Sequence, residues 1–108
     1  MISGAYLYIL LCADGKYYVG TTRKSLEERL AEHNAGLHRG FTATRRPVTM
    51  VFAQYFETIT DAVAAERQVK GWSRAKKEAL INGEWNRLTE LARRRSPHLP
   101  GSRSRNSL

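Results

Sequence analysis

The chain opens with two short runs of apolar and aromatic residues separated by an Asp-Gly pair. Residues 6–12, YLYILLC, and residues 17–22, YYVGTT, have the composition of β-strands, and the Asp14-Gly15 pair between them is typical of a hairpin turn. A hairpin needs bulky residues on its buried face, but four of these are tyrosines, whose hydroxyl groups can also do chemistry. The pattern predicts a hairpin and leaves open why it holds four phenols.

The length of the hairpin loop decides which tyrosines share a face. In a two-residue turn, Tyr8 and Tyr18 project from opposite faces, because side chains alternate along a strand. In a three-residue loop with Gly15 in the left-handed conformation, Tyr8 pairs with Gly20 and both phenols lie on one face. There, the missing side chain of Gly20 would leave room for a phosphate or water beside the Tyr8 phenol. The residues alone do not decide between the two-residue turn and the three-residue loop.

A helix and a third strand follow the hairpin. Residues 25–36, SLEERLAEHNAG, start with the capping-box pair Ser25 and Glu28 and end at Gly36, which favours a left-handed helix stop. A basic loop leads into residues 48–56, VTMVFAQYF, which have the pattern of a strand.

Two further helices are predicted after this strand. The Thr-Asp pair at residues 60–61 starts the first of them, and Glu66 interrupts its apolar stripe over residues 62–72. Ser73 can cap the second, RAKKEALIN, which ends at Gly83. The order β-β-α-β-α-α predicts a small α+β domain with a largely antiparallel sheet.

The apolar periodicity weakens towards the C-terminus. We expect a folded domain over residues 1–83, a helical extension over residues 84–95 and a basic tail over residues 96–108. The tail is rich in Pro, Gly, Ser and Arg and has no apolar period, so we predict that it is disordered.

Composition limits the class of protein. A chain of 108 residues supports one domain with a modest core, and 42% hydrophobic with 26% charged residues is the balance of a folded protein. The single cysteine, Cys12, cannot form an internal disulfide, and no Cys/His cluster has the spacing of a zinc site. No signal peptide or membrane-length apolar run is present, so we expect a cytoplasmic protein without a membrane partner.

Charge favours a polyanionic partner. The net charge is +8, and after Glu90 the chain carries five arginines and no acidic residue, which leaves +3 for residues 1–90. Each basic residue that neutralises a phosphate releases condensed counterions, so nucleic acid is the expected partner. A basic tail that only keeps the protein soluble is the simpler alternative. The sequence identifies no protein partner.

Five residues stand out because a structural role does not require their chemistry. They are Tyr8, Tyr18, Arg29, His33 and Glu66. Taken singly, tyrosines on strands are usually packing residues, and a helix arginine or histidine is usually a solvated charge. An unpaired carboxylate on an apolar stripe is costly, although an arginine partner such as Arg29 would satisfy Glu66 without catalysis.

Together these residues suit phosphodiester hydrolysis. That reaction needs a metal to polarise the phosphoryl oxygen, a cation against the developing charge and a group that takes a proton from water. Glu66 could hold Mg²⁺, with Mn²⁺ as a second candidate, since such hard cations use one or two carboxylates and several waters. Arg29 suits the transition-state phosphate, and a tyrosine near a metal and an arginine suits the general base.

The segments YLY at residues 6–8, YVG at residues 18–20 and LEERLAEHN resemble the paired motifs and helix of the GIY-YIG nuclease superfamily. The similarity extends over residues 4–82. It is closest to small stand-alone bacterial members, in which a segment like RRPV at residues 45–48 leads into the third strand. The first motif departs from the family pattern by lacking its glycine and isoleucine, and the second has valine for isoleucine.

This resemblance implies a metal-dependent endonuclease with a three-stranded antiparallel sheet flanked by helices. The family tyrosines fall on Tyr8 and Tyr18, and the three-residue loop that unites them is the one the resemblance supports. The family arginine corresponds to Arg29, and the metal-binding glutamate corresponds to Glu66. The histidine found in some branches corresponds to His33, and an asparagine near the domain end is a tentative match for Asn82. Tyr6 and Tyr17 would then pack or contact the opposite face.

A DNA endonuclease is the leading hypothesis, and RNA stays open as a substrate. Five basic residues are expected to contact flanking phosphates: Arg23, Lys24, Arg39, Arg45 and Arg46. His38, in the same loop as three of them, could assist, although a solvated surface residue is the preferred interpretation. The alternative is a non-catalytic nucleic-acid-binding protein that keeps the fold. A protein-interaction module would instead expose Trp72 or Trp85 on an apolar patch.

Overall fold

A computed structural model describes residues 4–95 of the chain. Its elements are β1 (Ala5–Leu11), β2 (Tyr17–Thr22), α1 (Leu26–Asn34), β3 (Thr49–Phe56), α2 (Ile59–Lys70), α3 (Arg74–Ile81) and α4 (Trp85–Arg95). The predicted disordered tail, residues 96–108, lies outside the described residues. Within residues 4–95, no helix is both long and apolar enough to span a membrane.

The chain divides into two compact units between Gly71 and Trp72. The first contains β1 to α2, and the second contains α3 and α4. The division into a domain over residues 1–83 and an extension over residues 84–95 stays a prediction.

The three strands form one antiparallel sheet in the order β2-β1-β3. The predicted α+β class and the three-stranded antiparallel sheet are therefore confirmed. As the central strand, β1 is covered on both faces: Leu7, Ile9 and Leu10 are each at most 2% exposed. A bulge in β3 shifts its pairing with β1 between Ile9 and Leu10.

The hairpin has the three-residue loop. Gly15 adopts a φ of 86°, and its N–H donates to the carbonyl of Cys12 at 2.9 Å. The resulting register pairs Tyr8 with Gly20 and Leu10 with Tyr18. Because residues two apart on a strand share a face, this register places Tyr8 and Tyr18 on the same side of the sheet.

Helix α1 begins and ends where its capping residues predict. The Ser25 hydroxyl accepts from the backbone N–H of Glu28 at 3.1 Å. At the other end Gly36 has a φ of 78°, and the N–H of Leu37 donates to the carbonyl of Glu32 at 3.0 Å, which completes a Schellman motif. The helix packs Leu26 and Leu30 against a buried cluster of Tyr8, Leu10, Cys12 and Val48.

Helix α2 starts earlier than predicted. Its N-cap is Thr58, whose hydroxyl accepts from the N–H of Asp61 at 3.1 Å, and the helix begins at Ile59, one residue before the predicted start at Thr60. Asp61 instead occupies the third helical position, where its negative charge favours the positive end of the helix dipole. The helix ends at Lys70, so Trp72 lies outside it.

The helices of the second unit, α3 and α4, form where the sequence predicts them. Ser73 caps α3 by accepting from the N–H of Lys76 at 3.2 Å, and Gly83, with a φ of 70°, follows the helix end. The weaker pattern after Gly83 forms α4. Asn82 is the C-cap residue of α3, and its assignment to a functional site stays a prediction. Trp85 is 60% exposed.

Candidate active site

A buried hydrogen-bonded chain joins three side chains from separate segments. Tyr8 Oη lies 2.9 Å from His33 Nε2, and His33 Nδ1 lies 2.8 Å from Thr42 Oγ1. All three residues are at most 2% exposed. The interpretation of His33 as an ordinary solvated helix residue is therefore wrong: it is fully buried, and both ring nitrogens have partners.

Gly20 is required by the close approach of the Tyr8 ring. A Cβ at this position would lie 2.7 Å from Tyr8 Oη, 2.8 Å from Tyr8 Cζ and 3.0 Å from a ring carbon of Tyr18. The missing side chain of Gly20 accommodates the ring of Tyr8 itself. A water or phosphate beside the phenol stays a prediction. Any side chain at residue 20 would push Tyr8 away from His33.

Tyr18 is the more accessible phenol of the pair. It is partly buried, with its ring centroid 6.3 Å from that of Tyr8 and 5.1 Å from that of His33. Its other neighbour is Phe41, which stacks on it at 6.1 Å and is 39% exposed. Tyr18 thus links the buried chain to the protein surface.

The two remaining hairpin tyrosines, Tyr6 and Tyr17, lie in different surroundings. Tyr6 lies two residues before Tyr8 and so shares its face, which corrects the alternative that it contacts the opposite one. Its ring packs edge-on against Tyr55 at a centroid distance of 5.3 Å, as the packing interpretation predicts. Tyr17 pairs with Leu11 and is partly buried.

Arg29 reaches the same region from α1. Its guanidinium forms an ion pair with Glu32 at 3.4 Å and a hydrogen bond with His38. The Arg29 side chain is only 18% exposed, and its Nε is buried without a hydrogen-bond partner among the described residues. Because an unpaired buried N–H is costly, this atom is a natural donor to a bound anion.

His38 belongs to this cluster rather than to the solvated surface. Its imidazole stacks on that of His33 with a centroid distance of 4.2 Å and an interplanar angle of 15°. The Glu32 carboxylate lies 3.4 Å from Nε2 of His38 and also forms an ion pair with Lys24. The sequence-based interpretation of His38 as a solvated residue is therefore wrong.

Glu66 is paired, but not with Arg29. Its carboxylate binds the Lys70 ammonium at 2.6 Å, one helical turn further along α2, and its side chain is 18% exposed. The hydrogen bond to Glu66 raises the pKa of Lys70. The negative charge of Glu66 also contributes to the raised pKa of Tyr8, so the carboxylate acts electrostatically on the buried chain.

The residues present fit a hydrated divalent cation better than a dedicated metal cage. Within residues 4–95, no group of three or more His, Cys, Asp and Glu side chains is arranged to bind a metal. Glu66 offers hard carboxylate oxygens, and Mg²⁺ is commonly held by one carboxylate together with waters and substrate oxygens. A cation at Glu66 would compete with the ammonium of Lys70.

Burial keeps both titratable members of the chain neutral. It raises the pKa of Tyr8 far above its ordinary value, with the neighbouring Tyr18 adding to the shift and Arg29 opposing it. Burial is the largest cause that lowers the pKa of His33 to about 4, and the neighbouring His38 and Arg29 lower it further. At neutral pH, Tyr8 therefore carries its proton and His33 is an uncharged imidazole.

The lowered pKa of His33 predicts a loss of stability in mild acid. Unfolded protein binds this proton below the ordinary value of 6.5, whereas the folded protein resists it until about 4. The His33 contribution is therefore complete above pH 6.5 and is lost as the pH falls towards 4, by up to about 3 kcal/mol. Urea unfolding measured between pH 7 and 4 should show a slope that shrinks most in His33→Gln and less in His38→Gln, because burial is the largest cause of the lowered His33 pKa and His38 the second. Equal slopes in wild type and His33→Gln would contradict it.

The five predicted phosphate-contacting residues differ in how much of their charge is available. Arg23 and Arg39 are exposed. Arg45 donates to Asp14 at 3.0 Å and to the carbonyl of Phe41 at 2.8 Å, and Arg46 donates to the carbonyls of Ala43 at 2.9 Å and Asn34 at 3.3 Å. Lys24 is paired with Glu32. Their roles towards nucleic acid stay predictions.

Several members of the site were missed from the sequence. The spacing of Lys70 and Glu66, four apart on a helix, and of Arg29 and Glu32, three apart, is a signal that could have found both pairs. Thr42 and Phe41 lie in an aperiodic loop, where no sequence pattern indicates which residue is buried.

This fold and this tyrosine-centred site define a small α+β protein with a candidate active site on its hairpin and first helix. The chain belongs to the GIY-YIG catalytic domain family, which it matches over residues 4–79.

A UPF0213 protein of Staphylococcus saprophyticus is 40% identical over 77 residues, which cover 71% of this chain and 93% of that protein. A UPF0213 protein of Natronomonas pharaonis is 40% identical over 84 residues, covering 78% and 98%.

A solved structure supports the same fold. The solution NMR structure of a protein from E. faecalis is 42% identical, with a TM-score of 0.51, and the match covers 72% of this chain and 82% of that one. The recognition of the family from its sequence motifs is thus confirmed.

Proposed function

We propose that this protein is a metal-dependent endonuclease that hydrolyses phosphodiester bonds, with DNA as the preferred substrate over RNA. Membership of the GIY-YIG catalytic domain family supports a nuclease in general terms. The observation that carries the proposal is the unpaired buried Nε of Arg29, which lies in the same cluster as the neutral Tyr8 and His33 pair.

Arg29 supplies the positive charge for the phosphate. Glu32 and His38 hold one side of its guanidinium, which leaves Nε as a donor for a phosphoryl oxygen. A guanidinium that is already fixed loses little entropy on binding and can hold the charge that develops in the transition state.

Tyr8 and His33 supply the proton acceptor. As water attacks phosphorus, one of its O–H bonds breaks and the proton passes to Tyr8 Oη, while the proton of Tyr8 passes to His33 Nε2. The oxygen of the water forms the new bond to phosphorus. On the opposite side the bond to the leaving oxygen breaks, and this oxygen departs with the bonding electron pair and takes a proton from solvent. This relay needs no Tyr8 phenolate in the resting protein, which agrees with the raised pKa of Tyr8. Since Tyr8 is 1% exposed, a single enclosed water is its expected partner, and Tyr18 borders the path to the surface.

Glu66 is the residue that would hold the divalent cation. When bound, Mg²⁺ or Mn²⁺ would supply charge neutralisation and polarisation of the phosphoryl oxygen. Lys70 neutralises Glu66 in the free protein and so prevents an unpaired carboxylate on the helix face.

The exposed basic residues would position the nucleic acid. Arg23, Lys24, Arg39 and Arg46 are the exposed members of the predicted set, and contacts of this kind fix position on the backbone without reading sequence. Binding should therefore weaken as salt concentration rises.

Cleavage assays on a panel of substrates test the proposal. Labelled double-stranded, single-stranded and branched DNA, and RNA, should each be incubated with Mg²⁺, with Mn²⁺ and with EDTA. We expect cleavage with metal, none with EDTA, and faster cleavage of a DNA than of the matched RNA. Equal cleavage with and without EDTA would contradict the metal requirement.

A nucleic-acid-binding protein without turnover is the second candidate. Two observations favour it: Glu66 is neutralised by Lys70, and the hydroxyl-bearing ring of Tyr8 is 1% exposed. Salt-dependent binding of every substrate in the panel, with no cleavage under any metal condition, is the result that would support it.

A further inference from the structure

Thr42 is buried at a point where the surrounding loop is mostly exposed. Its neighbours Phe41 and Thr44 are exposed, whereas Thr42 itself is 2% exposed and directs its hydroxyl to His33 Nδ1 at 2.8 Å. The carbonyl of Thr42 also accepts from the N–H of Arg45 at 3.0 Å, which fixes this turn of the loop. The side chain is thus held against His33 from a segment outside every helix and strand.

The partner at Nδ1 determines what His33 can do at Nε2. A neutral imidazole carries one proton, so if Nδ1 holds it, Nε2 is an acceptor, and the reverse arrangement makes Nε2 a donor. Tyr8 keeps its own proton at neutral pH, and His33 Nε2 at 2.9 Å is the acceptor that the geometry offers. An unprotonated Nε2 requires the proton on Nδ1, where Thr42 Oγ1 can accept it.

We propose that Thr42 is a positioning residue that fixes the Nδ1–H tautomer of His33, so that His33 Nε2 can take the hydroxyl proton of Tyr8 when Tyr8 accepts one from water. The catalytic part of this inference rests on the proposed endonuclease function; the tautomer does not. Thr42 touches neither substrate nor the reacting atoms, and acts through His33 alone. The arrangement is analogous in logic to a third residue that orients a catalytic histidine.

Other charged groups face the pair and stay unchanged when Thr42 is replaced. Tyr8 is influenced by Tyr18 from β2, by Arg29 and Glu32 from α1 and by Glu66 from α2, and His33 also faces His38 from the loop. A change that appears only when the Thr42 hydroxyl is removed therefore traces to the hydrogen bond at Nδ1.

The test compares Thr42→Val, which keeps the shape and removes the hydroxyl, with Thr42→Ser, which keeps the hydroxyl. Ring ¹⁵N chemical shifts of His33 in the full chain at pH 7 report the tautomer. We expect Nδ1–H in wild type and Thr42→Ser, and loss of that preference in Thr42→Val. On whichever substrate wild type cleaves, kcat should fall about 10- to 100-fold in Thr42→Val with KM within about twofold, and Thr42→Ser should stay near wild type.

Two results would overturn the inference. One is an Nε2–H tautomer in the wild-type protein, and the other is an unchanged His33 tautomer in Thr42→Val, whatever its kcat. If wild type cleaves nothing, the endonuclease proposal fails, but the ¹⁵N shifts still decide the role of Thr42. Thermal unfolding checks that the variants fold, and Thr42→Ala replaces Thr42→Val in the same measurements if valine prevents folding.

Discussion

Replacement of Glu66 by glutamine is expected to reduce metal-dependent cleavage by about 10²- to 10³-fold and to change nucleic-acid affinity by less than about twofold. Glutamine keeps the volume of the side chain but removes the charge, and neutral amide oxygens are weak substitutes for a carboxylate that must hold a hydrated cation. The side chain is 18% exposed and already paired with Lys70, so the fold does not depend on a lone buried charge here. Single-turnover cleavage with Mg²⁺ and binding measured in EDTA separate the two effects.

Glu57→Gln is the matched control, because it removes the same charge from an exposed position just before α2. It should cleave at the wild-type rate. If Glu66→Gln loses binding and cleavage to the same extent, or cleaves as fast as Glu57→Gln, the role of Glu66 as the metal-holding residue is wrong.

The elements with strong local signals were predictable from the sequence. Ser25 and Gly36 fixed both ends of α1 because their preferences are local: a hydroxyl accepts from the N–H three residues on, and glycine adopts a positive φ at no steric cost. The start of α2 was less predictable, because Thr58 and Thr60 are both acceptable caps. The choice between them depends on where β3 ends, at Phe56, which is a tertiary constraint.

The candidate site was predictable in its residue types and less so in its pairings. The register that unites Tyr8 and Tyr18 follows from a loop length that the residues alone left open, and the family resemblance selected it. Arg29 was considered as a non-catalytic partner for Glu66, whereas the partner in the structure is Lys70, at the favoured helical spacing.

The role of the loop over residues 37–47 required the three-dimensional structure. Its sequence has no period that could show that Thr42 is buried, that His38 stacks on His33 or that Phe41 stacks on Tyr18. None of these contacts follows a helix or strand spacing, and the loop conformation that makes them depends on turns held by backbone hydrogen bonds. Local propensity carries no information about such contacts, so the sequence indicated only a basic loop.

Replacement of Tyr8 by phenylalanine is expected to lower kcat by about 10²- to 10⁴-fold, the range for loss of a general acid–base group, with little change in nucleic-acid affinity. Phenylalanine keeps the ring that packs against Leu10 and the gap at Gly20, but it removes the hydroxyl that meets His33 Nε2 at 2.9 Å. The stability cost should be modest, about 1–3 kcal/mol, because His33 loses one of its two buried partners. Single-turnover kinetics at saturating metal and urea unfolding measure the two effects separately.

Tyr6→Phe provides the control on the same strand and the same face. Tyr6 packs its ring on Tyr55 and has no place in the buried chain, so the loss of its hydroxyl should leave kcat unchanged. A Tyr8→Phe protein that cleaves as fast as Tyr6→Phe would show that Tyr8 only packs, and the proton acceptor would have to be sought at Tyr18. A tenfold or larger loss in Tyr8→Phe alone would instead establish that the buried phenol takes part in the chemistry, which a packing role cannot explain because the ring is retained.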